Sequence, residues 1–121
     1  MIEKLEGAPD GVVAFKAVGE VSVEDYTQTL KPAFDAAVAA GGKIRAVLLL
    51  GPEFTGYSSG AKLEDLGLGL SFIRKWERCA VVTDAQWIID LMRRFGWVLG
   101  KRFRRFPVTE LPQAMEWAAG K

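Results

Sequence analysis

Ser58 and Ser59 stand between an apolar strand pattern and a helix pattern, where a hydroxyl either caps a helix or accepts a phosphate stabilised by free N–H groups. Capping is the commoner use of a serine in that place. Other residues able to do chemistry are few. The 121-residue chain has no histidine, which removes the commonest general base, the Ser-His and Cys-His nucleophile pairs and most zinc sites. Its one cysteine, Cys79, opens an apolar strand pattern, the setting in which a thiol packs as a small hydrophobe. Glu64 and Asp65 are adjacent carboxylates, but neighbours i and i+1 on a helix do not face each other. Gly67 and Gly69 lie within a helical pattern and not after a strand, so the dinucleotide-binding fingerprint is not met. These residues predict no enzyme, no cofactor and no metal site.

The positive signal is Trp97. On a helical wheel of Ala85 to Leu99 it falls with Gln86, Asp90 and Arg93, away from the apolar stripe of Trp87, Ile88, Leu91, Met92, Phe95, Val98 and Leu99. Arg93, Arg94 and the cluster Lys101, Arg102, Arg104 and Arg105 lie close by in sequence. A tryptophan among basic side chains is the mix found at membrane surfaces and anionic ligand sites. Charge is distributed in the same sense. Residues 1 to 73 carry six Lys/Arg against ten Asp/Glu, a balance of −4, and residues 74 to 105 carry nine against three, a balance of +6. Two plainer readings stand beside this one: basic residues guard an edge strand against aggregation, and an exposed tryptophan serves a subunit contact. Nucleic acid is not expected as a partner, because the overall charge is +1 and no groove-reading motif is present.

The elements that must position these residues read as follows. Residues 2 to 6 and 12 to 18 form a hairpin through the turn Ala8-Pro9-Asp10-Gly11. Ser22 caps a helix with Val23, Tyr26, Leu30, Phe34, Ala37 and Val38 on its buried face, kinked or divided at Pro32 and stopped by Gly41 and Gly42. Ile44 to Leu50, a nearly continuous apolar run, is the pattern of a strand covered on both faces and marks the centre of the sheet. After a loop, GPEFTGYSSG, residues 61 to 76 read as a helix with two apolar stripes: Leu63, Leu66, Leu70 and Ile73 on one side, Leu68, Phe72 and Trp76 on the other. One stripe serves the core, and the second needs a further partner. Gly67 and Gly69 each weaken such a helix by about 0.5 to 1 kcal/mol relative to alanine, so this element is the one most easily displaced. Residues 79 to 82 are a second buried strand, Asp84 caps the helix that follows, residues 101 to 106 form a basic edge strand, and Leu111 to Ala119 close the chain as a helix. The alternation predicts a single α/β domain over residues 1–121, a sandwich with a mostly parallel sheet.

Half of the residues are hydrophobic and a quarter charged, the balance of a soluble globular domain. Unbroken apolar runs such as Ala46 to Leu50 are too short to cross a bilayer. The opening MIEKLEGAPDG carries neither a basic leader nor an apolar signal segment, which predicts a cytoplasmic protein, as does the single cysteine.

The run ERCAVVTDAQWIIDLMRRFG, followed by KRFRRFPVTELPQAMEWAAG, resembles the SpoIIAA-like group of STAS domains (sulfate transporter and anti-sigma factor antagonist). The resemblance implies a four- or five-stranded sheet flanked by four or five helices, similar in outline to CRAL-TRIO lipid carriers, in a group of small bacterial proteins for which membrane association and apolar-ligand binding are suggested. Anti-sigma antagonists of this type carry an Asp-Ser motif at the strand-to-helix turn. The turn here reads Gly56, Tyr57, Ser58, Ser59, Gly60, without the aspartate. Residues and resemblance together predict a non-enzymatic module that binds an apolar or anionic amphipathic molecule or a lipid surface, peripheral to the inner membrane face. Leu68, Phe72 and Trp76 form its apolar wall, with Trp97, Arg93 and Arg94 at the rim. The alternatives are a regulatory protein-interaction domain with Ser58 or Ser59 as phosphoacceptor, and a homodimer that covers the second stripe.

Overall fold

The computed structural model describes residues 1–58, 75–94, 96 and 100–120. Strands β1 (Ile2–Lys4), β2 (Val13–Ala17), β4 (Ile44–Leu50), β6 (Trp76–Thr83) and β7 (Phe103–Phe106) form one sheet in the order β1-β2-β4-β6-β7. β1 and β2 are the antiparallel hairpin read from the sequence, and β2, β4, β6 and β7 run parallel. β4, the apolar run, sits in the middle, paired through Val13↔Ala46 on one side and Ala46↔Cys79 on the other. β7 is the edge strand expected from its basic composition, with Lys101 and Arg102 in a 3₁₀ turn before it. Two short strands, β3 (Gly19–Val21) and β5 (Phe54–Tyr57), were not expected. They pair parallel to each other and prolong the β2–β4 pair past its end: the Gly19 N–H donates to Glu53 O at 2.6 Å and the Ser58 N–H to Val21 O at 2.9 Å.

Side chains alternate across the strands, so the sheet has two cores. On one face Phe15, Ala46 and Cys79 meet Phe34, Trp76 and Ile88; on the other Ala14, Val47, Ala80, Val82 and Phe106 meet Ala114, Met115 and Ala118.

The first face is covered by a helical run that opens with α1 (Val23–Asp25). Ser22 caps it in both directions: its hydroxyl accepts from the Asp25 N–H, and the Asp25 carboxylate accepts from the Ser22 N–H at 2.8 Å. Burial, the largest single effect, pushes the Asp25 carboxyl up, but the bonds its carboxylate accepts from the Ser22 N–H and hydroxyl, with the N-terminal ammonium beside it, together hold it below its ordinary value. The run widens into a π turn, Tyr26–Leu30, just before Pro32, which lacks an N–H to give, and continues as α2 (Lys31–Gly41). Tyr26, Leu30 and Phe34 are buried from it as the periodicity required. Gly42, at φ 79°, ends it by donating its N–H to Val38 O.

The second face is closed by α4 (Leu111–Ala118), preceded by α3 (Gln86–Arg94) on the first. Two arginines at neighbouring register positions fasten the end of α4. Arg45 donates to Ala119 O and Arg78 to Trp117 O, each at 2.7 Å, and Arg78 lies 5.1 Å over the Trp117 ring. Cations at a helix C-terminus satisfy its orphan carbonyls and its dipole together. Arg45 also grips Glu77 through two bonds, at 2.9 and 2.8 Å. Thr83, fully buried at the end of β6, is the buried polar residue among the described ones. Its Oγ1 donates to Leu50 O at 2.8 Å and accepts from the Ala85 N–H at 3.1 Å, joining the ends of β4 and β6 to the start of α3.

Two outcomes follow from these contacts. Thr83→Val keeps the shape and removes both bonds, so urea unfolding should show a loss of about 1 to 3 kcal/mol with the m-value unchanged. The hydrogen bonds from Arg45 hold the Glu77 carboxyl below its ordinary value of 4.5, against a smaller effect of burial and with help from the charges of Arg45, Arg78 and Lys43. A lowered folded pKa gives stability that is complete above the ordinary value and lost as pH falls through the folded one. Glu77→Gln should therefore lower the midpoint at pH 7 and converge with the parent chain in acid.

Candidate functional site

The carboxyl ends of β4 and β6 point toward one end of the domain. There Gly51 and Pro52 turn the chain, with the Phe54 N–H donating to Gly51 O at 3.0 Å, and β5 carries Phe54, Thr55 and Tyr57 outward. On the other side β6 ends at Thr83, and Asp84 and Ala85 lead into α3, whose first turn brings Trp87. Asp84 reaches across to the turn after β7, where its Oδ1 accepts from the Val108 N–H at 3.2 Å. The result is a cleft of about 230 Å³ lined by Leu50, Gly51, Pro52, Phe54, Thr55, Asp84, Ala85, Trp87 and Val108.

Its wall is an aromatic group. Phe54 and Trp87 stack with centroids 6.1 Å apart at 29°, Tyr57 stands edge-on to both at 5.2 and 6.0 Å, and Tyr26 backs Tyr57 at 6.2 Å. Spacings of 4.5–7 Å in stacked and edge-on geometry are those aromatic pairs prefer. The wall is therefore stiff, yet Trp87 is 47% exposed. Chemically the lining offers flat apolar surface, one carboxylate and one hydroxyl. Its volume exceeds the roughly 150 Å³ in which a dry cavity holds benzene, and falls below the roughly 300 Å³ at which drug-sized ligands are enclosed. Among the described residues the four parallel strands follow one another across the sheet without a reversal of order, so the crevice that open sheets use for dinucleotides is not formed.

The residues singled out in the sequence fare unequally. Leu68, Phe72, Trp97 and Ser59 lie outside the described residues, as does the two-striped helix up to residue 74. Trp76 is corrected: it does not end a helix but opens β6. It is 6% exposed, packed edge-on to Phe34 at 5.1 Å and against Phe103 at 5.2 Å. Its place is in the core, and among the described residues its buried Nε1–H finds no hydrogen-bond partner. Arg93 and Arg94 are exposed in the last turn of α3. Ser58 follows β5 and is half-buried.

The basic block does not act as one patch. Arg104, opposite Ala80, lies 4.8 Å over the Phe106 ring, whereas Arg105, opposite Val81, donates to Thr83 O at 3.2 Å on the other side of the strand.

The wheel of α3 is also corrected. Ile88 is buried and Met92 partly so, but Trp87 and Leu91, assigned to the core, are 47% and 44% exposed. One sheet covers only part of an apolar arc this wide, and it takes the Ile88 side. The cleft residues Phe54, Asp84 and Trp87 were not anticipated as a site; the mix of Gly, Pro and aromatics in GPEFTGYSSG was the available signal.

An open five-stranded sheet with helices on both faces and a cleft beyond its strand ends defines a layered α/β domain. The chain belongs to the SpoIIAA-like family, whose family model matches residues 12–119. It is similar to the crystal structure of an uncharacterized protein of the DUF3478 family with a SpoIIAA-like fold from Shewanella loihica PV-4, with 28% identity and a TM-score of 0.75 over 98% of this chain and 92% of that one. No curated protein matches it. Among the described residues no group of three or more His, Cys, Asp or Glu could hold a metal, and no helix is long and apolar enough to cross a membrane.

The placement of the two tryptophans separates core from site. Trp76→Ala should cost about 3 to 5 kcal/mol in urea unfolding, the range for a buried tryptophan. Trp87→Ala should cost about 1 kcal/mol, the scale of a surface change with some lost ring contact.

Proposed function

We propose that this domain is a non-enzymatic binding module that holds an anionic amphipathic molecule or lipid surface against the exposed side of α3. The observation that carries this reading is the stripe Trp87, Leu91 and Arg94, at i, i+4 and i+7 on one side of the helix and all exposed, with Arg93 beside it. A helix with aromatic and aliphatic groups along one line and cations at its far end is suited to lie on an interface between apolar chains and anionic head groups. Gln86 and Asp90, hydrogen-bonded at 2.8 Å, keep the adjoining strip polar. Each arginine near an anionic surface contributes about 1 kcal/mol. Burying the exposed parts of Trp87 and Leu91 adds about 2 kcal/mol. The total, about 4 kcal/mol, corresponds to millimolar, reversible attachment that depends on charge and is screened by salt.

A second reading, a regulatory protein-interaction domain, is favoured by the place of Ser58 at the outer end of β5, one residue beyond Tyr57. Phosphate on Ser58, detected by intact-mass measurement of protein from its own host, would favour it.

Sedimentation with vesicles tests the first reading. The chain should pellet with phosphatidylglycerol vesicles at low salt and stay in solution with phosphatidylcholine vesicles. Arg93→Glu with Arg94→Glu, or high salt, should release it. Equal recovery in the supernatant for both vesicle types at low salt would sink the proposal.

A further inference from the structure

The cleft itself does not contain those arginines. Of its nine lining residues only one ionises, and it is acidic. We infer that the cleft beyond β4 and β6 is a separate site for an organic cation, an ammonium or guanidinium group on a short apolar stem, held between the Phe54–Trp87 rings and Asp84.

Four observations carry this. Both contacts of the Asp84 carboxylate fall on one oxygen: Oδ1 accepts from the Val108 N–H and lies 3.9 Å from Arg105 Nη1. Oδ2 has no partner among the described residues, and the side chain is 65% exposed. The bond to Val108 fixes the carboxylate in place, so a ligand does not have to order it. Next, the exposed Trp87 is the best of the aromatic faces for a cation, and stacking on Phe54 with Tyr57 edge-on holds that ring in position.

Third, the strand ends are rich in acceptors. Leu50 O accepts from the Thr83 hydroxyl and Gly51 O from the Phe54 N–H, and a carbonyl oxygen carries two lone pairs. Fourth, a cleft of about 230 Å³ has room for one charged group on a ring-sized stem. The chain's own Arg105 illustrates the preference, placing its guanidinium between Thr83 O and the far side of Asp84. At 3.9 Å that ion pair is loose, and a ligand donating to Oδ2 at hydrogen-bond distance makes the stronger contact. The cation site shares Trp87 with the proposed docking stripe of α3 but otherwise uses other residues, Phe54 and Asp84 here against Leu91, Arg93 and Arg94 there.

Such a cation is either a small free amine or a basic side chain of a partner chain. Two probes distinguish them: phenethylammonium chloride, and a capped dipeptide containing one arginine, each titrated into the full chain by two-dimensional NMR with phenethyl alcohol as the neutral control. The expected result is saturable, millimolar binding of at least one cation, with the largest shifts at the Trp87 indole and the Phe54 and Thr55 amides. The alcohol should be at least tenfold weaker, the scale of one lost charge-assisted hydrogen bond. The tighter probe identifies the source.

Asp84→Asn keeps an acceptor for Val108 and should weaken the cation at least tenfold. Trp87→Leu keeps an apolar wall without the π face and serves as a second variant should Asp84→Asn unfold. Binding of the alcohol as tightly as the ammonium, unchanged affinity in a folded Asp84→Asn or in Trp87→Leu, or absence of shifts with both cations overturns the inference. Because Arg93→Glu with Arg94→Glu leaves the cleft untouched, loss of vesicle binding in that variant with cation binding intact separates the two proposals.

Discussion

One buried hydroxyl sets the geometry at the end of this domain that carries the cleft. In a parallel sheet the strand ends have no hairpin to tie them, and each must be fixed by something else. Thr83 does this for the two central strands, giving its proton to Leu50 O and taking the Ala85 N–H. One side chain therefore decides where β4 stops, where β6 stops and at what angle α3 departs. The positions of Phe54 and Trp87 depend on that junction. Were it to loosen, the aromatic wall would lose its two supports at the same moment.

The other end of the sheet is governed by charge. Arg45 and Arg78 stand side by side on neighbouring strands, a repulsive arrangement unless acceptors surround them. Glu77 and the last carbonyls of α4 provide these. In exchange α4, with only Ala114, Met115 and Ala118 buried, is held to the second face by charge-assisted bonds as well as by packing. Part of the positive balance of residues 74 to 105 is thus spent inside the fold. Arg93, Arg94 and Lys101 are exposed at the surface.

The architecture was legible because its signals are strong and local. A strand apolar at every position but Arg45 reads as covered on both faces, Ser22 with Glu24 and Asp25 behind it reads as a helix N-cap, and the paired glycines after Ala40 end a helix. The site was less legible. β3 and β5 contain Gly19 and Gly56 and have no two-residue alternation, so only the tertiary ladder reveals them. Trp76 satisfied the i, i+4, i+8 pattern of the preceding segment by coincidence. An apolar residue at the first position of a strand extends a helical stripe just as well, and the turn at Lys75, whose carbonyl accepts from the Ile44 N–H, is what decides. For α3 the apolar arc was recognised, but a wheel does not say which part of a wide arc a sheet will cover. Ile88 and Met92 won that place, and Trp87 and Leu91 were left outside.

The register of the parallel strands also bears on how the chain reaches this state. Val13 pairs with Ala46, Ala46 with Cys79 and Cys79 with Phe103, so each of these ladders closes a loop of some two dozen residues or more. The β1–β2 hairpin alone is local. A sheet of this kind has high contact order and belongs with domains that assemble in milliseconds to seconds rather than microseconds. Its central strand, the most apolar stretch of the chain, must wait for partners on both flanks. During that interval Ile44 to Leu50 is an unshielded β-former, and crowding of nascent chains at that stage is the step at which the molecule is most exposed to misassembly.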